Sequence, residues 1–297
     1  STDYPHSQVQ PFQGQVYTQR VDLATSQAIR RLAQQQRCVL STLFLAGFQL
    51  LLHRYTSQTD IIIGMPEKGR PLEQFNDVVG YFINMLPIRS QHLGSQSLID
   101  SIKALQLTMA DALDHAAYPF PTLVRELAIP SSPDLMPVFQ VAFEYQHVFS
   151  ANDLKTFQRQ YQQQLAVDFV EQLHQEGEYE LVLEVHEQEH DFVLNLKYNP
   201  SLYKESSIAR MVGHFLNVMT QMTAHPDYLP KQLCLNTPEE ERILRDEFNR
   251  TRISYPQQCF HELFAQQARQ SPDAIAVVFE QQSLTYAELD NKSTVLA

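Results

Sequence analysis

The sequence predicts an α/β fold. Segments with strand-like and helix-like periodicity interleave from the first residues to about 225. Apolar residues make up 43% of the 297, enough for a substantial core. One long segment is apolar on nearly every side, the mark of a helix buried among neighbours.

Residues 1–12 are polar with two prolines and resemble an interdomain linker. "QVYTQRVDL" alternates with period two and predicts a strand. "ATSQAIRRLAQQQR" gathers Ala28, Ile29, Leu32 and Ala33 on one helical face. "STLFLAGFQLLLHRYT" is the all-round apolar helix. "DIIIGMP" is a short continuous apolar run, as in a strand of a sheet covered by helices. "VVGYFINMLPIR", residues 78–89, reads as a buried strand containing Gly80 and Asn84. "SLIDSIKALQLTMADALDHAAY" opens with a capping-box pattern, Ser97 and Asp100, and repeats Leu98, Ile102, Leu105, Met109 and Leu113 as a helix does. "MPVFQVAFEYQ" predicts a strand, and the Gln-rich, poorly periodic 150–178 predicts a loop with some helix.

"ELVLEV" and "DFVLNLKY" alternate as two strands. "ESSIARMVGHFLNVMTQM" then places Ile208, Met211, Val212, Phe215, Met219 and Met222 on one helix face. From residue 225 the composition shifts to charge and proline, which predicts a linker with one short helix. The last 40 residues or so read as helix, strand, tight turn, strand and the start of another helix, too little to bury a core of their own.

A formal charge of −12 without a Lys/Arg stripe disfavours nucleic acid and acidic membrane surfaces as partners. Cys38, Cys234 and Cys259 lie far apart without CxxC spacing, which suggests reduced thiols in a cytoplasmic protein. The first residues show neither a basic nor an apolar signal region, and no apolar run reaches the roughly 18 residues of a membrane span.

"HEQEH", His186 to His190, fits the H-E-x-x-H pattern of zinc peptidases, which needs both imidazoles one helical turn apart. Its flanks alternate with period two, so a polar hairpin tip without metal is expected. His115 stands at the end of a helix, where a cation is favoured by the helix dipole, and a structural role outweighs a substrate-facing one. No nucleophile elbow, Walker loop or dinucleotide fingerprint occurs, and no complete catalytic constellation is visible.

Taken together, several of these segments resemble the condensation domains of non-ribosomal peptide synthetases, specifically their C-terminal lobe. "VVGYFINMLPIR" is similar to the family's fifth core motif at Gly80, Phe82, Asn84 and Arg89. "HAAYPFPTLV" resembles the sixth, HQDYPFE, retaining His115, Tyr118, Pro119 and Phe120 but departing at Ala116, Ala117 and Pro121. The seventh, RDxSRNPL, is poorly matched by "SSPDLMPV", which lacks its arginines. "SLTYAEL" is similar to the first core motif of adenylation domains. The resemblance therefore implies a condensation C-terminal lobe over 1–228, a linker over 229–257 and the truncated start of an adenylation domain over 258–297. Epimerization domains share the fold and are the second choice within the superfamily; a non-catalytic lobe that docks carrier proteins is the reading of another class.

The implied fold is a chloramphenicol-acetyltransferase-like two-layer α/β sandwich lobe with a mixed sheet, lining a tunnel between carrier-borne thioesters. Gly80, Phe82, Asn84 and Met85 are then expected on the tunnel, with Arg89, His115, Tyr118, Pro119 and Phe120 as structural motif residues. The residues alone leave alternatives open. Gly80 suits either a close approach of backbone or ligand, or a β-bulge, and the Asn84 amide suits either substrate or neighbouring backbone. The family's acid/base histidine lies in HHxxxDG, a string absent from this sequence, so the resemblance implies a fragment that is inactive by itself. It implies no cofactor bound by the fragment, phosphopantetheine on partner carrier proteins, and ATP with magnesium for a complete adenylation domain. The missing N-terminal lobe and the rest of the adenylation domain are the other implied partners.

Overall fold

The computed structural model describes residues 2–6, 14–70, 72–75, 77–91, 93–129, 136–147, 179–252, 254 and 257–296. The whole Gln-rich stretch 150–178, and so its expected loop and helix, lies outside the described residues. The chain divides into two compact units, Ser1–Glu241 and Arg242–Ala297.

The first unit contains β1 (Gln15–Arg20), α1 (Leu23–Gln36), α2 (Leu40–Thr56), β2 (Ile61–Glu67), β3 (Asn84–Ser90), α3 (Leu98–Asp114), α4 (Phe120–Glu126), β4 (Val141–His147), β5 (Leu181–Glu187), β6 (Phe192–Tyr198) and α5 (Glu205–Ala224). The strands form one sheet in the order β1-β6-β5-β4-β2-β3. β4 runs parallel to β2 and β5 and the other pairs are antiparallel, so the sheet is mixed.

Strand alternation decides which face is buried by helices. Ile61, Ile63, Leu86, Ile88, Phe143, Leu183, Val185, Leu194 and Leu196 point to one side, where α1, α2, α3 and α5 close the core. Every α2 residue from Thr42 to Leu52 is buried, as its all-round apolar sequence requires. The expected face of α5 is buried too, joined by Val218. Among the described residues no single helix is long and apolar enough to cross a membrane.

Helix starts follow local chemistry. Asp22 accepts a hydrogen bond from the Thr25 amide, and Ser97 accepts from the Asp100 amide as the capping pattern predicts. α5 has no cap of its own. Asp3 supplies one, its carboxylate accepting from the Lys204 amide at 2.8 Å and the Ser207 hydroxyl at 2.9 Å. These bonds to Lys204 and Ser207 hold the Asp3 carboxyl below the usual range.

Residues 229–241, at the start of the expected linker, form a strap on α5. Leu233 is buried, and the Asn217 amide donates to the carbonyls of Cys234, Leu235 and Asn236 at 2.9, 3.3 and 2.9 Å. Gln221 exchanges two hydrogen bonds with the Cys234 backbone, imitating a strand pairing. His214 lies between the Tyr55 hydroxyl at 2.6 Å and the Glu240 carboxylate at 2.8 Å. Burial raises the Tyr55 hydroxyl to about 12. A proline-bearing, charged composition does not reveal such fastening, because the gripping amides come from another element.

The second unit has α7 (Phe260–Gln270), β7 (Ile275–Phe279), β8 (Gln282–Thr285) and α8 (Tyr286–Leu296), after the short α6 (Pro238–Arg242) and one π-helical turn, Ile243–Glu247. β7 and β8 pair antiparallel, the order the sequence predicts. "LTYAEL" owes part of its pattern to capping. The Thr285 amide donates to Glu288 at 2.9 Å and the Glu288 amide to the Thr285 hydroxyl at 3.2 Å. Phe279, Val278 and Ile275 are exposed on this hairpin.

Candidate functional site

The motif-bearing residues gather around the start of β3. β3 begins only at Asn84, so the expectation of one strand over 78–89 is corrected. Residues 77–83 form an exposed loop, with Val79 99% and Tyr81 86% exposed, because β2 ends at Glu67 opposite Asn84 and leaves them no partner. Gly80 therefore sits in neither a strand nor a β-bulge. A Cβ there would meet only the Phe82 ring at 3.2 Å, so no backbone of the described residues closes on Gly80.

Such a close approach falls at Gly69, which the sequence did not single out. Its φ is +64°, and a Cβ would fall 1.7 Å from the Phe82 carbonyl oxygen. Arg70 organises the rest of the loop. It donates to the carbonyls of Phe75 and Gly80, and its guanidinium lies 4.2 Å from the centre of the Phe82 ring. Phe82 is thus a loop anchor, and "EKGRP" carried the missed signal in a Gly-Arg pair just after a strand.

Asn84 joins the two motifs. Its Nδ2 donates to the carbonyls of Ala116 and Tyr118 at 2.9 and 2.8 Å, and its Oδ1 accepts from the Phe120 amide at 2.9 Å. The amide is committed to backbone, the architectural alternative. Because Phe120 opens α4 and Pro119 offers no side-chain cap, Asn84 caps this helix from another element.

The remaining motif residues support the same junction. His115 terminates α3 with Nδ1 2.8 Å from the Asp111 carbonyl, the structural role. Tyr118 is part-exposed, with its hydroxyl raised by a hydrogen bond to Glu126. Phe120 packs on Phe139 at 5.2 Å between ring centres, and Phe139 in turn covers Gly64, where a Cβ would fall 2.0 Å from the ring. Arg89 makes a two-pronged ion pair with Asp60 at 2.9 and 2.6 Å, bracing the edge strand. Met85 alternates with buried Leu86, which places it on the face of the sheet opposite the core helices, across from Pro66.

"HEQEH" spans the end of β5 and the turn to β6, and the hairpin expectation holds. Alternation separates its members. Glu187 lies on the helix side, accepting from the Tyr145 hydroxyl at 2.6 Å and from Arg30. His186 lies on the opposite face, and His190 is exposed beyond the strand. Among the described residues no group of three His, Cys, Asp or Glu side chains is placed to hold a metal ion.

The face opposite the core helices carries a polar row. Thr18, Asn195, Glu184 and Glu144 stand opposite one another on β1, β6, β5 and β4. Glu184 is 7% exposed, and its carboxylate accepts from Gln146 at 3.0 Å and Asn195 at 3.3 Å, with Lys197 at 3.4 Å. Burial alone would raise this carboxyl, but His186, Lys197 and Asn195 more than offset it and hold it below the usual range. The signal for this row was present in "VAFEYQ" and "ELVLEV", whose glutamates fall at alternate positions of otherwise apolar strands.

Comparison with known proteins assigns the fold to a family. The model for the condensation domain matches residues 1–244. The chain belongs to that family. It is 43% identical over 296 residues to the polyketide synthase PksN of Bacillus subtilis (strain 168), covering 99% of this chain and 5% of the relative. It thus spans only a small part of that relative's length. The structure of AB3403, a four-domain nonribosomal peptide synthetase bound to AMP and glycine, superposes with a TM-score of 0.81 at 22% identity, covering 97% of this chain and 22% of that one. The condensation domain of the monacolin K polyketide synthase MokA superposes with a TM-score of 0.65 at 19% identity, covering 77% of this chain and 52% of that one. Such neighbours have the chloramphenicol-acetyltransferase-like fold, consistent with the mixed α/β sheet described above.

Proposed function

We propose that this chain supplies one lobe of a condensation domain, forming a wall of the passage in which two carrier-bound thioesters meet. The amine of the acceptor attacks the donor carbonyl, the C–N bond forms, the C–S bond breaks, and the donor's pantetheine thiol leaves with a proton. The observation that carries this reading is the family match over 1–244. The length relation supports it, since the matched part corresponds to 52% of the MokA condensation chain. The other half of the domain then provides the HHxxxDG histidine as acid/base, and this lobe contributes by holding the reactants in place.

In this reading the junction fixed by Asn84 is a rigid floor beside the passage, and Met85 faces the pantetheine arm. The exposed apolar loop at Val79 and Tyr81 is covered by the other lobe. Residues 258–297 begin an adenylation domain, which in complete form uses ATP and magnesium. Support for this comes from the AB3403 superposition, which extends over 97% of the chain. No cofactor is required by this lobe.

A crosslinking experiment tests the wall. In the complete synthetase polypeptide, a carrier domain bearing a chloroacetylated pantetheine should label Met85→Cys faster than Leu107→Cys, which lies 69% exposed on α3. Equal labelling of both positions would overturn the reading.

A further inference from the structure

The strap along α5 divides at Leu233. Up to that point the chain after α5 belongs to the core. Pro230 and Leu233 are buried, and the carbonyls of Pro226 and Tyr228 accept from the Ile99 and Leu98 amides at 2.9 and 2.8 Å, at the start of α3. Beyond it no residue from Cys234 to Glu241 is buried. This second part is held by side chains of α5 in place of a core of its own.

The grips are His214, Asn217 and Gln221, three and four residues apart and so on one side of the helix. A different side fills the core, where Phe215, Val218, Met219 and Met222 are buried. Breaking the grips therefore leaves the packing of α5 intact. The strap retraces the helix from Gln221, which holds Cys234, to His214, which holds Glu240, over about 10 Å at about 1.5 Å per residue. At this far end the Tyr55 hydroxyl, which keeps its proton, donates to His214 Nδ1 and leaves the Nε2 hydrogen for Glu240. The same Glu240 oxygen accepts from the Thr237 amide and hydroxyl at 2.8 and 3.0 Å. Glu240 thus both caps α6 and pins the strap to α5, so the cap and the pin are lost together.

We propose that residues 234–241 form a releasable strap, opening as one unit about Leu233 while the rest of the first unit stays folded. Opening lengthens the free chain ahead of the second unit by at most about 29 Å, at about 3.6 Å per residue. The strap is a device that changes the reach of that chain without unfolding either unit.

Hydrogen exchange on the 297-residue chain, read residue by residue by NMR, tests this. The amides of Cys234, Thr237, Glu240 and Glu241 are each hydrogen-bonded when the strap is closed. They should exchange with one common protection, well below that of amides 211–222, and with little dependence on dilute urea. The α5 amides should show the steep urea dependence of global unfolding. Asn217→Ala removes three bonds to the strap, yet alanine suits a helix better than asparagine. The variant should speed exchange at all four strap amides by about tenfold or more and leave 211–222 within about twofold of wild type. Strap amides that exchange as slowly as 211–222, with the same urea dependence, would overturn the proposal. Acceleration confined to Cys234 would overturn it as well.

Discussion

Replacing Asn84 with alanine removes three hydrogen bonds that join β3 to the turn between α3 and α4. The bond from the Phe120 amide is a helix cap, worth about 1 kcal/mol. The bonds to the Ala116 and Tyr118 carbonyls add about 0.5–1.5 kcal/mol each, at the low end for Tyr118, which solvent reaches. The sum is about 2–3 kcal/mol, or about 5–10 °C in melting temperature for a unit of this size. Calorimetry on the chain measures this, and Asn84→Asp separates the terms. That variant keeps an acceptor for Phe120 but aims a carboxylate oxygen at two carbonyls, so at neutral pH it should be less stable than Asn84→Ala. Its stability relative to Asn84→Ala should improve as pH falls and the carboxyl gains a proton. If Asn84→Ala melts within about 1 °C of wild type and amide exchange at 116–123 is unchanged, the capping argument is wrong.

Three further outcomes follow from the same geometry. Gly64→Ala drives a methyl group into the Phe139 ring, which is buried between Phe120 and Tyr179, and should cost about 1–3 kcal/mol in denaturant unfolding. Glu240→Gln should speed amide exchange at 233–241. Burial would raise the Glu240 carboxyl, but bonds from Thr237 and His214 hold it below the usual range. Its stabilisation is therefore fully present above the ordinary carboxylate range and lost as pH falls through the lowered folded value. The variant should lack that acid-dependent loss. The 297-residue chain by itself should form no amide between loaded carriers, because no HHxxxDG string is present in it; turnover that persisted through repurification would refute the division of labour between lobes.

The fold was legible wherever one element's periodicity decided its own burial. α2, α3, α5 and the β5–β6 hairpin all form as their apolar spacing requires. The errors arose where the partner lies elsewhere in the chain. "VVGYFINMLPIR" reads as one strand from its residues, yet β2 is too short to pair with its first half. The Asn84 amide stayed open between substrate and neighbouring backbone because its three partners lie 32 to 36 residues away. The strap along α5 and the Asp3 cap were hidden for the same reason. Gly69 went unremarked because its strain comes from Phe82, across the β2–β3 connection. The polar row needed only strand alternation, but its meaning depends on four strands lying in register.

In the proposed function this lobe takes part in amide formation between carrier-bound thioesters. Single-turnover mass spectrometry on the complete synthetase polypeptide tests it most directly, with a donor thioester on one carrier domain and an aminoacyl thioester on the next. Transfer of the donor acyl mass onto the acceptor carrier is expected at a rate that depends on both, with no transfer when the acceptor is loaded with a propionyl group. Donor loss only as free acid, at a rate indifferent to what the acceptor carries, would contradict it.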